Sequence, residues 1–340
     1  MSALPLLPTT VVGSHGKPGW WHTCKDLHAA GQWGPYDLEE LLNDAVDIAI
    51  LDQERAGVDI ITDGEARRLD GYVDGYYDLI EGIRALPVAR RAGPWGYDQQ
   101  TRYEAIGAIH APEGLGIVQE LTYLHAHTSR PTKVTCAGPL TFGSRIRPNN
   151  VYKDTLAIAE EFARVINAEL KALVAAGARF IQLDEPARGN VSGADMARLF
   201  NLATEGVEAK LAFHICFGNR FGRARFKRSY SDYFPGALEA RADQFVLEYA
   251  SREMAEIEKW RDWHDGRELG AGIIDVKSFH PESPEEVAAR LRTVLRYAAP
   301  EKVYINPDCG FGWSPRNMAV EKLQAMVAGT RLVRQELSRG

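Results

Sequence analysis

His214 and Cys216 stand two residues apart in KLAFHICFGN (210–219), a spacing that puts both side chains on one face of a strand. Glu248 follows three apolar residues in QFVLEYA (244–250), and Cys309 in KVYINPDCG (302–310) directly precedes Gly310. Read singly, each has an ordinary structural account. H-x-C is met by a buried imidazole beside an inert thiol, the carboxylate by a salt bridge, and the cysteine by core packing. Read together, an imidazole, two thiols and a carboxylate are the donors of a tetrahedral Zn²⁺ site. A carboxylate within an apolar strand needs a partner in any case, because desolvating it unpaired is costly. A divalent ion facing two thiolates and a carboxylate leaves the site anionic. A further thiol bound there would be deprotonated and stay electron-rich, the condition for sulfur alkylation.

The segments that must position these residues alternate in character. Short β-rich runs fall at TTVVGS (9–14), VDIITDGE (58–65), TKVTCAGPLTF (132–142), ARFIQLDEPA (178–187), 210–219, 244–250, LGAGIIDV (269–276) and 302–310. Helical patterns lie between most of them, such as 38–57 and 155–177, each ending in a glycine stop signal at Gly57 and Gly177. SPEEVAARLRTVLRYA (283–298) opens with a capping signature. Eight such strands predict an α/β fold of the (β/α)₈ TIM-barrel type, one domain over 1–340. Ser14, Asp63, Glu65, Asp184, Glu185, His214, Cys216, Glu248, Asp275, Asp308 and Cys309 then fall at the C-terminal strand ends, where barrel enzymes place their sites. Asp184 and Glu185 could equally pair with Arg188 or another cation at the barrel mouth, and Ser14 could serve a plain turn.

Residues 66–131 are too long for one helix and predict a long insertion after the second strand, lying over the barrel mouth. Within it GPWGYDQQTRYEAIGAIHAP (93–112) alternates like a hairpin. The basic, aromatic stretch 220–235 reads as a solvated loop or an anion clamp, and Trp20, Trp21 and Trp33 as an exposed interface or lid.

Composition excludes several classes. The 340 residues are 45% hydrophobic and 25% charged, an ordinary globular balance that rules out disorder and disulfide scaffolds. A net charge of −6 without a basic block argues against nucleic-acid and anionic-membrane partners. No apolar run reaches the ~18 residues of a membrane span. The N-terminus lacks a signal-peptide pattern, and four cysteines without close pairs fit a reducing cytoplasm.

TTVVGS, the DGE of ITDGEARR, AGPLTF, IQLDEPA, HIC, LEYASR and INPDCGFG, spanning residues 9–312, resemble the cobalamin-independent methionine synthase family, specifically its C-terminal catalytic barrel in a short, single-domain form. The resemblance implies zinc held by His214, Cys216, Glu248 and Cys309, with the acceptor amino acid gripped by Glu65, Asp184 and Ser14. It implies a zinc-dependent S-methyltransferase that activates the homocysteine thiol as a zinc thiolate and forms methionine. The chain departs from the family in three ways. It has room for one barrel where the full-length enzyme has two. GPLTFGSRIRP carries Arg145 near the place of the family's pterin-stacking Trp, and IIDVKSFHP carries Lys277, with His280 near, where the family's proton-donating His stands. The methyl donor therefore stays open among methyltetrahydrofolate, a methylated corrinoid protein and other donors, with Lys277 or His280 protonating the leaving group. The alternatives are a zinc alkyltransferase of the epoxyalkane:coenzyme M type and a non-catalytic corrinoid- or metal-binding barrel. Intact Glu65 and Asp184 favour an acceptor with an ammonium group.

Overall fold

The structure, a computed structural model, describes residues 4–69, 72–87, 101–186, 190–219 and 222–339. Helix α1 (Gly19–Ala29) is followed by α2 (Pro35–Ala56), which begins with proline and ends at Gly57 in the left-handed region (φ 85°). Only a residue without a Cβ takes that turn at no cost, so the glycine stop predicted from sequence has its reason here. α2 buries Leu41, Leu42, Ala45, Val46, Ala49 and Ile50 along one face, the spacing of an amphipathic helix.

Strand β1 (Glu81–Ala85) pairs antiparallel with β2 (Tyr103–His110). After α3 (Ile117–His127), β3 (Val134–Ala137) and α4 (Pro139–Gly143), the short β4 (Ile146–Arg147) joins β2 in parallel to complete a three-stranded sheet. The predicted hairpin over 93–112 is thus met in part. β2 does alternate, but its partner is the upstream 81–85, and residues 93–100 lie outside the described ones.

The remaining elements are α5 (Thr155–Ala175), β5 (Phe180–Asp184), α6 (Gly193–Ala203), β6 (Lys210–Ile215), β7 (Gln244–Glu248), α7 (Trp260–Trp263), β8 (Glu268–Ile274), α8 (Pro284–Val294), β9 (Val303–Pro307) and α9 (Arg316–Leu337). The main sheet runs β3-β5-β6-β7-β8-β9, and every neighbouring pair in it is parallel. Its strands are almost wholly buried, as parallel strands covered by crossover helices must be. The fold is therefore mixed α/β with a parallel sheet. α8 carries the predicted capping box, with Ser283 Oγ accepting from Glu286 N (3.2 Å) and Glu286 Oε2 from Ser283 N (2.7 Å).

The first two predicted strands do not form ladders. Residues 9–10 and 60–61 make isolated parallel bridges, Thr9 with Ile305, Thr10 with Ile60, and Ile61 with Thr132. A few backbone bonds join these segments, such as Thr10 N to Ile305 O (2.8 Å) and Ile61 N to Pro131 O (3.0 Å), and side chains take other backbone groups. Thr9 N donates to Asp59 Oδ2 (2.8 Å), Thr62 N to Gln53 Oε1 (3.0 Å), and Gln53 Nε2 to Thr62 O (2.9 Å). Hydrophobic alternation announces a strand, and it is silent about such substitutions.

The turn after the first bridge is clamped by a buried carboxylate. Asp52 of α2 accepts two bonds from Arg316 at the start of α9 (both 2.7 Å) and lies 3.0 Å from His15 Nε2. Burial opposes ionisation of Asp52, but the bonds from His15 and Arg316 outweigh it and hold the carboxyl at about 2. Asp52→Asn is expected to cost about 1–3 kcal/mol at pH 7 in urea denaturation. Because the folded group titrates below its unfolded value, this contribution is complete above pH ~4, about half gone near pH 3 and lost toward pH 2. A wild-type-to-variant gap that stays constant from pH 6 to pH 3 contradicts it.

Candidate metal centre

Parallel register brings the expected donors to one edge of the sheet. His214 and Val246 are partners across β6 and β7, and Glu248 ends β7 opposite Gly272 of β8. Cys216 follows β6 by one residue and Cys309 follows β9 by two. One ligand atom each of His214, Cys216 and Cys309 lies within 4.8 Å of the others. His214 Nδ1 is 3.0 Å from the Val246 carbonyl, an acceptor only, so Nδ1 carries the proton. That leaves Nε2 with its lone pair. It is buried without a hydrogen-bond partner among the described residues and is turned toward Cys309. An orphaned imidazole nitrogen beside two thiols, its other nitrogen fixed by a carbonyl, fits a thiophilic divalent cation.

Electrostatics favours one thiolate. Hydrogen bonding from Cys216 pulls the Cys309 thiol well below the ordinary range against the effect of burial, helped by the positive charge of Lys277 and, whenever its imidazole is protonated, by His214. The same hydrogen bond, together with burial, pushes Cys216 up.

Glu248, the fourth expected ligand, is not brought into this compact cluster. Its Oε1 accepts from Phe217 N (3.0 Å) and its Oε2 from Lys277 Nζ (2.9 Å), both inside the protein. The Lys277 side chain is 7% exposed, and Glu248 is wholly buried. His280 does not reach the site. Its ring is exposed, 3.7 Å from Glu286.

The three expected acceptor-binding residues approach from the neighbouring segments. Ser14 Oγ accepts from Gly312 N (3.1 Å), and a Cβ at Gly310 would come within 2.1 Å of it, so the Cys309-Gly310 step needs glycine to pack against Ser14. Glu65 sits in the left-handed region (φ 50°), accepts from Thr135 Oγ1 (2.8 Å) and pairs with Arg68 (2.9 Å). Asp184 ends β5, and burial, reinforced by the nearby charge of Glu65, pushes it up to about 6 against the pull of His214. The charge of Glu65 thus makes Asp184 costlier to ionise, and a cation placed beside Asp184 would relieve that cost.

Asp308, placed at a strand end by the sequence, takes a supporting role, and two tyrosines that the sequence did not single out join it. Asp308 accepts from the backbone N–H groups of Tyr249, Ala250 and Ser251 (2.6–3.0 Å), tying the loop after Glu248 to the loop that carries Cys309. Tyr230, within the basic stretch, accepts from Glu248 N (2.6 Å) and donates to Ile215 O (2.8 Å), bridging β6 and β7. The Tyr72 hydroxyl is buried in the field of Asp184 and Glu65. Neither residue has a metal-binding type or a motif spacing to announce it. Arg145 is buried, with Nη1 donating to Thr101 O (3.3 Å). Glu185 is bound by the start of α4, accepting from Leu140 N (2.8 Å) and Thr141 Oγ1 (2.7 Å). Arg188, its alternative partner, lies outside the described residues, as do 220–221 of the basic stretch. Trp21 is a core residue that donates to Ala66 O (3.3 Å), which corrects its reading as exposed; Trp20 is 39% exposed.

A parallel α/β sheet with a His-Cys-Cys cluster at its C-terminal edge defines a candidate metalloenzyme of sulfur chemistry. The comparisons make this specific. Residues 7–331 match the family described as cobalamin-independent synthase, catalytic domain. The methionine synthase of Saccharolobus solfataricus is 38% identical over 344 residues, taking in 100% of this chain and 98% of that protein. That of Sulfurisphaera tokodaii is 35% identical, over 99% of this chain and 95% of its own length. Among solved structures, a B12-independent methionine synthase from Shewanella sp. W3-18-1 in complex with selenomethionine superposes with a TM-score of 0.83 at 28% identity, over 99% of this chain and all of that one. The chain belongs to the cobalamin-independent methionine synthase family, in its catalytic domain.

The Glu248–Lys277 pair gives a direct test of this geometry. In metal-free protein, Lys277→Met leaves a buried carboxylate uncompensated and is expected to cost about 3–5 kcal/mol in chemical denaturation. Adding Glu248→Gln to that variant is expected to restore part of the loss. A double variant less stable than Lys277→Met alone contradicts the pairing.

Proposed function

We propose that this protein is a zinc-dependent S-methyltransferase that converts homocysteine to methionine. The observation that carries the reading is the convergence of His214 Nε2, Cys216 and Cys309 at the sheet's C-terminal edge. These three residues would hold the ion, with Glu248 as fourth donor once its carboxylate is shared with Lys277. Zinc bound there would acidify a coordinating thiol, so that the sulfur is a nucleophile at neutral pH. The chain's own residues supply the rest. Glu65 and Asp184 would receive the ammonium group of the acceptor, and Ser14 with the 310–312 backbone its carboxylate end. That carboxylate pair is the reason to prefer an amino-acid thiol. Lys277, one of the two expected proton donors, pairs with Glu248 and compensates its charge. In the overall reaction a C–S bond forms, the bond from the methyl group to its donor breaks with its electron pair staying on the donor, and the thiol proton passes to that donor or to solvent. The donor is methyltetrahydrofolate, a methylated corrinoid or another methyl compound.

The proposal extends to architecture. The three bridges from residues 9–10, 60–61 and 132 support closing the parallel sheet into a (β/α)₈ barrel, one domain over 1–340. Residues 66–131 would be the insertion over its mouth, supported by Tyr72 lying in the field of Glu65 and Asp184. No described helix is long and apolar enough to cross a membrane.

Metal analysis is expected to find about one zinc per chain, and Cys309→Ala to lose it. Homocysteine assayed with methyltetrahydrofolate and with methylcobalamin, side by side, is expected to yield methionine with at least one of them. A protein that binds no zinc, or that methylates no homocysteine with any donor, does not have this function.

A further inference from the structure

Lys133 immediately precedes β3, is completely buried, and has no part in the metal cluster. Burial disfavours its ammonium form, and the nearby Asp184 favours it. Its Nζ donates to Gln182 Oε1 (2.6 Å). Gln182, also completely buried, uses Nε2 to donate to Val12 O (2.8 Å) and to Asp184 Oδ1 (2.6 Å). Gln182 and Asp184 are two apart on β5, so they share one face of the strand.

These bonds leave the Gln182 amide one orientation. Turned over, it would set its N–H groups against the Lys133 amine and its oxygen against a carbonyl and a carboxylate, which forfeits all three bonds inside the protein. Lys133 therefore determines which end of Gln182 meets Asp184, and Gln182 fixes Asp184 through Oδ1. Asp184 Oδ2 has no hydrogen-bond partner among the described residues, and Glu65 is near enough to raise Asp184.

We propose that Lys133 and Gln182 are positioning residues, a buried relay that turns the free oxygen of Asp184 toward the ammonium group of an α-amino thiol acceptor. The inference rests on the acceptor reading given under Proposed function and adds to it the residues that set selectivity for the amino group. Neither residue touches the acceptor. Each acts through the next.

The test uses the zinc-loaded full chain and isothermal titration with L-homocysteine and with 4-mercaptobutanoate, the same thiol without its amino group. Wild-type protein is expected to prefer homocysteine by about 10–100-fold, the range of one hydrogen-bonded charged contact. Gln182→Glu keeps the size of the side chain and its bond from Lys133 but replaces the donor facing Asp184 by an acceptor. It is expected to bring the two thiols within about threefold, with zinc content unchanged and 4-mercaptobutanoate binding retained. Lys133→Met is expected to do the same, and Lys133→Met in a Gln182→Met background to add no further loss, since the relay is already broken. The proposal is overturned if Gln182→Glu keeps the full preference, or if the losses in the double variant multiply. Should Lys133→Met fail to fold, Gln182→Glu decides alone. A wild-type protein without the preference refutes the acceptor reading itself, whereas a preference that survives Gln182→Glu refutes only the relay.

Discussion

Thiolates and a carboxylate gathered in a dry interior repel one another, so their burial requires compensating positive charge. That requirement organises one edge of this protein. Lys277 is drawn in from its loop to pair with Glu248, and the N–H of Phe217 takes the other carboxylate oxygen. His214 is held by Val246 O in the tautomer that leaves Nε2 as a lone-pair donor. Across the same edge, Glu65 and Asp184 form a second anionic pocket, partly offset by Arg68 and by the bond from Gln182. Lys277 answers Glu248 and Arg68 answers Glu65, whereas among the described residues Asp184 has no ion-pair partner.

The scaffold makes these pockets possible because parallel register fixes which residues meet. His214 lies beside Val246 across one ladder and beside Asp184 across the other, so β6 joins the thiol cluster to the carboxylate pair. Asp308 then binds three consecutive backbone N–H groups after Glu248, which locks the loop carrying Cys309 to the end of β7. A slip of one residue in any of these strands would turn its site residue to the opposite face.

Much of this was legible in the amino-acid order. H-x-C on a strand places two donors on one side, and glycine stops and a capping box marked α2 and α8 where they form. The rest was hidden for physical reasons. Whether a carboxylate ends a strand as a ligand or as half of an ion pair depends on a lysine 29 positions away, and no periodicity reports that. The segments at 9–14 and 58–65 have strand composition, yet they pair only through isolated bridges, with Asp59 and Gln53 taking some of their backbone groups. Trp21 looked like a surface residue because its helix is short and polar on most sides, and only packing against Ala66 reveals it as core. Glu185 was read with Asp184 as one acidic pair, although it serves the N-terminus of α4.

The central claim is that two cysteines and one histidine form a metal site with room for a substrate sulfur. X-ray absorption at the zinc edge tests it most directly, on the loaded protein before and after addition of L-homocysteine. The account predicts two sulfur neighbours at about 2.3 Å beside nitrogen or oxygen donors, rising to three when the thiol is added. A sulfur count that does not rise, or an initial shell with fewer than two sulfurs, would contradict it.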